Sequence, residues 1–518
     1  MSRSCPALCA SYVLAASIVS FLTAQEPVFT IDGTQDDDSL GRSVAVGSDW
    51  NLDGIIDIAI GIPGRNGFEG LVELRSGRDG TLIRTIAAPA NAREFGTSID
   101  ATLDFTGDGH NDLVVGAPFA NLPGSFLSPG TVYLINGTTG AVIHSSTGVQ
   151  DNDQLGECVL ALQDVNGDGT PDFAASGTGI DGPGSLFNCG GVRVFSGATG
   201  AALYTRLGWA PNVGYGVSLT RLRDVNGDAR PDWVSGGEGV FPNYLGTVEV
   251  CSGATGLPIA TLPGVSANGI AVARAHDLDG DGSDDFWLGR PGFRNASAQL
   301  VGRVEGRSGR TGALLFGHDG NLVNTNFGTY VIGLRDLDGD ALPEFAAFRN
   351  SGSSNREVQL RSGRTGAVLR AFSVFSLSGH DALDAGDLNS GGFDELLIGD
   401  DAFSPSGFRF AGRAQVFALA DRFLTSTPDR VTMPGPLSIE LRGAAANGGF
   451  LVFVVQANGL PIGPYLVGIG TCNAEGRGSI PLNVPVVPGL QSLDFFGASL
   501  GAPLPSIAFT NLWRTRFQ

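Results

Sequence analysis

Asp164 to Asp172 reads DVNGDGTPD and places carboxylate or amide oxygens at positions 1, 3, 5 and 9 of a nine-residue loop, with Gly at position 6. Oxygen at every second residue, followed by a glycine that permits a sharp turn, is how a short loop wraps a hard cation. The loop recurs as DWNLDGIID from Asp49, DFTGDGHND from Asp104, DVNGDARPD from Asp224, DLDGDGSDD from Asp277 and DLDGDALPE from Asp336. A worn copy, DLNSGGFDE, starts at Asp387.

The candidate ligands are the side chains at positions 1, 3, 5 and 9 and the backbone carbonyl at position 7. In the first loop these are Asp49, Asn51, Asp53, Ile55 and Asp57, and in the second Asp104, Thr106, Asp108, His110 and Asp112. The third supplies Asp164, Asn166, Asp168, Thr170 and Asp172, and the fourth Asp224, Asn226, Asp228, Arg230 and Asp232. The fifth supplies Asp277, Asp279, Asp281, Ser283 and Asp285, and the sixth Asp336, Asp338, Asp340, Leu342 and Glu344. The seventh keeps Asp387, Asn389 and Glu395 but has Gly391 at position 5, which leaves its occupancy open. The fourth and sixth loops carry Ala229 and Ala341 where glycine is preferred. At positive φ such an alanine costs about 1 kcal/mol. An EF-hand would need flanking helices and Glu at position 12. That position is Ile60, Ala175 and Leu288 in the first, third and fifth loops.

The loops begin 51 to 60 residues apart. Each unit has a glycine entering a short strand (EFGTSI, 94–99), the acidic loop, and an apolar strand (DLVVGAP, 112–118). An alternating strand closed by an SG-x-TG turn follows (GVRVFSGATG, 191–200), and then one more strand. Four strands per unit, with no helix signal, indicate a radially repeated sheet. The seventh unit lacks a fourth strand, whereas PVFTI (27–31) occupies a fourth-strand place with no unit before it. That stretch is expected to complete the last blade and close the ring, removing exposed edges.

The fold expected is all-β: a seven-bladed β-propeller over 25–422, a linker at 423–430, and a small β-sandwich over 431–518. Residues 1–24 read as a signal peptide, with Arg3 before a mostly apolar run ending near Ala24. No later segment has the apolar length of a membrane span, so a secreted or cell-surface location is expected. Of the four cysteines beyond it, Cys158 and Cys189 share a repeat and are the expected pair. The net charge is −20, and the ligand positions hold 22 of the 52 acidic side chains. Seven divalent cations would leave a net charge of about −6, so the acidity reads as ligand charge. Nucleic-acid binding is disfavoured, because it requires basic faces. The chain has no lysine, which excludes Schiff-base and Walker-lysine chemistry.

The repeats resemble the FG-GAP family, found in the β-propeller head of integrin α subunits and in secreted bacterial relatives. The residues that carry the resemblance are Phe95-Gly96, the GAP at 116–118, the weaker GIP at 61–63 and the acidic loops. It implies up to seven Ca²⁺ ions on one face of a propeller. It further implies that protein partners are engaged in part through the opposite face. The function expected is an exported, calcium-binding, non-enzymatic binding or adhesion protein with an extracellular protein or glycan ligand. The alternative is a calcium-dependent secreted enzyme acting on polysaccharide. No HExxH, GxSxG or P-loop is present, and the five histidines do not recur at one repeat position. Those histidines read as exposed loop residues, and Trp209, Trp233 and Trp287 as packing residues.

Overall fold

The computed structural model describes residues 27–121, 128–239, 245–266, 271–337, 339–350, 356–374, 382–386, 388, 394–405 and 407–419, and strand backbone between 424 and 517. The repeats form seven four-stranded antiparallel sheets. The second is typical: its strands are Ser98–Leu103, Asp112–Ala117, Thr131–Ile135 and Val142–Thr147, hydrogen-bonded in chain order. First strands from all seven sheets line a common centre. Each touches the next, and the last, Ala382–Gly386, touches the first, Val44–Val46. The molecule is a closed seven-bladed propeller.

The last sheet is completed from the other end of the chain. Phe29–Asp32 pairs antiparallel with Arg413–Ala418, in a register running from Phe29 opposite Val416 to Asp32 opposite Arg413. Arg413 also clamps the Asp32 carboxylate with Nε and Nη2, at 2.5 and 2.9 Å. The closing strand expected at 27–31 is therefore found, shifted by one or two residues.

The apolar second strands are covered on both faces, and Asp112–Ala117 is buried throughout. The core lies between blades. One cluster joins Ala59, Val72 and Leu74 of the first blade to Ile99, Leu113, Val115 and Tyr133 of the second. Blade contact also explains why glycine recurs in the second strand. A Cβ on Gly116 would sit 2.0 Å from the carbonyl oxygen of Gly156 in the following blade, and one on Gly61 would sit 2.0 Å from that of Gly96.

Beyond the propeller the backbone forms a three-stranded and a five-stranded sheet. The stretch read as a linker, 423–430, contributes Leu424–Thr427 to the smaller one. The face packing expected of a sandwich depends on side chains that lie outside the described residues, as do the signal segment 1–24 and Cys472.

Two expectations are corrected. Cys189 and Cys251 are free thiols, so the expected bridge from Cys158 to Cys189 is not formed. Cys158 opens the first strand of its sheet, whereas Cys189 precedes the third and points its Sγ at the carbonyl of Ile180, 3.5 Å away. The second strand of that sheet separates them. His318 is no exposed loop residue: it is buried on the strand Leu314–Asp319 and stacks on Phe345 at 5.6 Å. Trp233 and Trp287 are fully buried, while Trp209 is 40 % exposed and meets Tyr215 edge-on.

Candidate metal centres

Every acidic loop joins the first strand of a blade to its second, so the loops gather at one end of the ring. Their position-9 acids sit at or next to the start of the second strand. Asp57, Asp112, Asp172, Asp232, Asp285, Glu344 and Glu395 are all buried. A buried carboxylate needs hydrogen-bond donors, and the backbone supplies them. Asp172 Oδ2 accepts the N–H groups of Val165 and Asn166 at 2.9 and 3.2 Å, and Oδ1 accepts that of Gly197 at 3.0 Å. Gly197 belongs to the SG-x-TG turn, so one side chain ties the loop to the hairpin beside it. The same bond recurs as Gly77 to Asp57 (3.2 Å) and Gly137 to Asp112 (3.0 Å). It recurs again as Gly253 to Asp232 (3.0 Å) and Gly309 to Asp285 (3.0 Å). Glu344 and Glu395 accept the N–H groups of Leu337 and Leu388.

The other candidate side chains curl the loop. Asp164, at position 1, accepts the N–H groups of Gly167 and, at 3.0 Å, Gly169. Asn166 accepts from Asp168 at 2.8 Å, and Asp168 from Thr170 at 2.9 Å. In the other described loops the position-1 acids Asp49, Asp104, Asp224, Asp277 and Asp336 likewise accept N–H groups at positions 4 to 6. The position-5 acids Asp53, Asp108, Asp228, Asp281 and Asp340 accept the N–H at position 7, that of Ile55, His110, Arg230, Ser283 and Leu342.

This curl requires a left-handed residue at position 6. Gly54, Gly109, Gly169 and Gly282 have φ between 84° and 90°, and Ala229 and Ala341 are forced to 64° and 70°. Position 4 is left-handed as well, which the sequence reading missed. Glycine occupies it in five loops, but the first holds Leu52 at φ 63°.

Two loops draw three acidic ligand atoms within 4.8 Å of one another: Asp277, Asp279 and Asp281 in the fifth, and Asp336, Asp340 and Glu344 in the sixth. Asp338, Asp387 and Asn389 lie outside the described residues. Burial pushes the carboxyls of Asp57, Asp112 and Asp172 above the usual range, and those of Asp232 and Asp285 to about 6. Backbone donors oppose that rise, while neighbouring carboxylates such as Asp228 and Asp281 add to it. The donor set is thus all oxygen, crowded and short of positive charge. A hard divalent cation fits it.

The ring centre holds a second feature, a cavity of about 740 Å³. It carries Asp100, Glu157 and Asp384 among Arg42, Arg221, Arg274, Arg335 and His276. Each carboxylate is engaged by backbone: Asp100 by Ala161 (2.9 Å), Glu157 by Thr178 (2.8 Å), Asp384 by Gly386 (3.0 Å). Arg221 reaches from the fourth blade past Ala161 of the third to the Thr102 hydroxyl of the second.

Residues 95–135 match the FG-GAP repeat model. Integrin alpha-V of Gallus gallus is 31 % identical over 218 residues, covering 40 % of this chain and 20 % of that protein. Integrin alpha-5 of Xenopus laevis is 29 % identical over 223 residues, with the same coverage. Phosphatidylinositol-glycan-specific phospholipase D of Homo sapiens is 32 % identical over 157 residues, covering 26 % of this chain and 17 % of that protein. The chain thus matches about a fifth of the length of these relatives.

Proposed function

We propose that this FG-GAP repeat protein, with its integrin α-like propeller, is an exported binding or adhesion protein whose ring is held by calcium. The observation that carries the reading is the recurrence of one loop, with one anchoring carboxylate, at the same end of successive blades. Calcium ions there would be held by the side-chain oxygens at positions 1, 3, 5 and 9 and the carbonyl at position 7, with position 9 also securing the loop to its hairpin. A bound divalent ion supplies the positive charge that the crowded carboxylates lack. Its binding energy then adds to the stability of the fold.

A rigid ring leaves the other end free to recognise a ligand. Connections from second to third strands, and from one blade to the next, emerge there. They carry Phe68, Phe187, Trp209, Phe408 and Phe410, each at least 40 % exposed. Exposed aromatic side chains of this kind mark recognition surfaces for proteins or glycans. The test is a protein and glycan array probed with the full chain, with and without calcium, beside a Phe187→Ser/Phe410→Ser variant. Retained binding by a well-folded variant would move the surface elsewhere.

A second reading, an enzyme acting on polysaccharide, rests on the ring-centre cavity and its three carboxylates. Hydrolysis of a glycan panel that is abolished by Asp100→Asn or Glu157→Gln would favour it.

A further inference from the structure

The loops fall into two kinds, divided by the third residue of the SG-x-TG turn that packs beside them. In the first, fifth and sixth blades that residue is Arg78, Arg310 or Arg364; in the second, third and fourth it is Thr138, Ala198 or Ala254. Arg364 lays Nε on Asp340 Oδ2 at 3.0 Å and Nη2 on the Asp340 carbonyl at 3.0 Å. Arg78 repeats both bonds on Asp53, at 3.1 and 3.2 Å. Arg310 reaches Asp281 at a looser 4.0 Å. In the other three loops the position-5 oxygen receives a neutral donor. Asn136 donates to Asp108 at 3.0 Å, Ser196 to Asp168 at 3.3 Å and Ser252 to Asp228 at 3.2 Å.

We infer that Arg78, Arg310 and Arg364 are internal stand-ins for the cation, latched on the position-5 carboxylate of their loops and displaced when calcium enters. The inference rests on the calcium reading above. Two observations carry it. Position 5 is a proposed ligand in every described loop, and the arginine takes its Oδ2 in the first and sixth. In addition, the arginines accompany the two loops with four carboxylates, which are also the two, among the described residues, in which three acidic atoms lie within 4.8 Å. Such crowding is costly without a counter-charge. The guanidinium supplies one, because it is always protonated and can swing on a long, exposed stem. The side chains of Arg78, Arg310 and Arg364 are 57, 56 and 54 % exposed, which leaves each guanidinium room to swing into solvent.

The consequence is a graded device. The second and fourth loops fill first, because the third already carries Arg230 at 3.5 Å from its position-1 Asp164, and the latched loops fill at higher calcium. As they fill, three guanidinium groups are released on the rim of the acidic end. An exposed ion pair is weak, so each latch should lower its site's calcium affinity by roughly two- to fivefold.

The test is a calcium isotherm on the full chain, paired with thermal melts in chelator and in saturating calcium. For Arg78→Ala/Arg310→Ala/Arg364→Ala the weaker class of sites should tighten by that factor. Its melting temperature should fall in chelator and match or exceed wild type in calcium. The reverse variant, Thr138→Arg/Ala254→Arg, should weaken two of the tighter sites. A wild type that binds calcium, with isotherms unmoved by either variant, would overturn the latch and leave the calcium reading standing. A wild type that takes up no calcium would overturn both.

Discussion

The Asp172 carboxylate and the backbone N–H of Gly197 meet at 3.0 Å, joining an acidic loop to the hairpin turn of the same blade. The side chain has no solvent exposure and takes two further N–H groups from Val165 and Asn166. Asp172→Ala should strand these buried donors and cost about 2–4 kcal/mol. Asp172→Asn keeps one acceptor oxygen and should cost less. Urea unfolding of the two variants checks the order.

Glycines that look alike in sequence should respond differently to alanine. At Gly116 a Cβ would lie 2.0 Å from the Gly156 carbonyl, so Gly116→Ala must push two blades apart. At Gly54 nothing lies within 4 Å, and only the positive φ opposes a side chain. Gly54→Ala should cost about 1 kcal/mol, whereas Gly116→Ala should cost several times more or prevent folding. In the opposite sense, Ala229→Gly and Ala341→Gly relieve alanines held at φ 64° and 70°. Each should stabilise the chain by up to about 1 kcal/mol, read as a rise in melting temperature.

Acid should loosen the contact between the fifth and sixth blades. Burial holds the His318 imidazole below its ordinary value of 6.5, while its Nε2–H donates to the Gly363 carbonyl at 2.8 Å. A histidine whose pKa is lower when folded than when unfolded stabilises the fold fully above pH 6.5. That stability is lost as the pH falls below this value towards the folded pKa. The melting temperature should therefore drop between pH 7 and pH 5 by more in wild type than in His318→Gln. Equal slopes would mean that His318 does not contribute.

Free thiols at Cys189 and Cys251 predict that reducing agent leaves the propeller's melting temperature unchanged. A fall of several degrees in reductant would indicate a structural bridge.

What the sequence revealed was whatever repeats along it. The seven blades, the buried second strands and the closing role of 27–31 follow from period, alternation and a missing fourth strand. Likewise, Ala229 and Ala341 could be identified as strained from the glycines that replace them in sister loops. Contacts between distant residues were hidden. Position 9 shows only its ligand role in sequence, because its bond to a glycine 20 to 25 residues on leaves no local mark. Arg78 and Asp53 are separated in the same way. The pairing of Cys158 with Cys189 followed from sharing a repeat, but adjacency in sequence does not cross an intervening strand. His318 sits on a weakly alternating strand beside Phe316, and Phe345, on which it stacks, becomes its neighbour only in the fold.

Calorimetric titration of the chelated full chain with calcium tests the central claim most directly. The account predicts several ions per chain in at least two affinity classes. It also predicts a marked rise in melting temperature, since each site at a hundredfold excess over its Kd adds about 2.7 kcal/mol. An absence of binding heat, together with identical melts in chelator and in calcium, would contradict it.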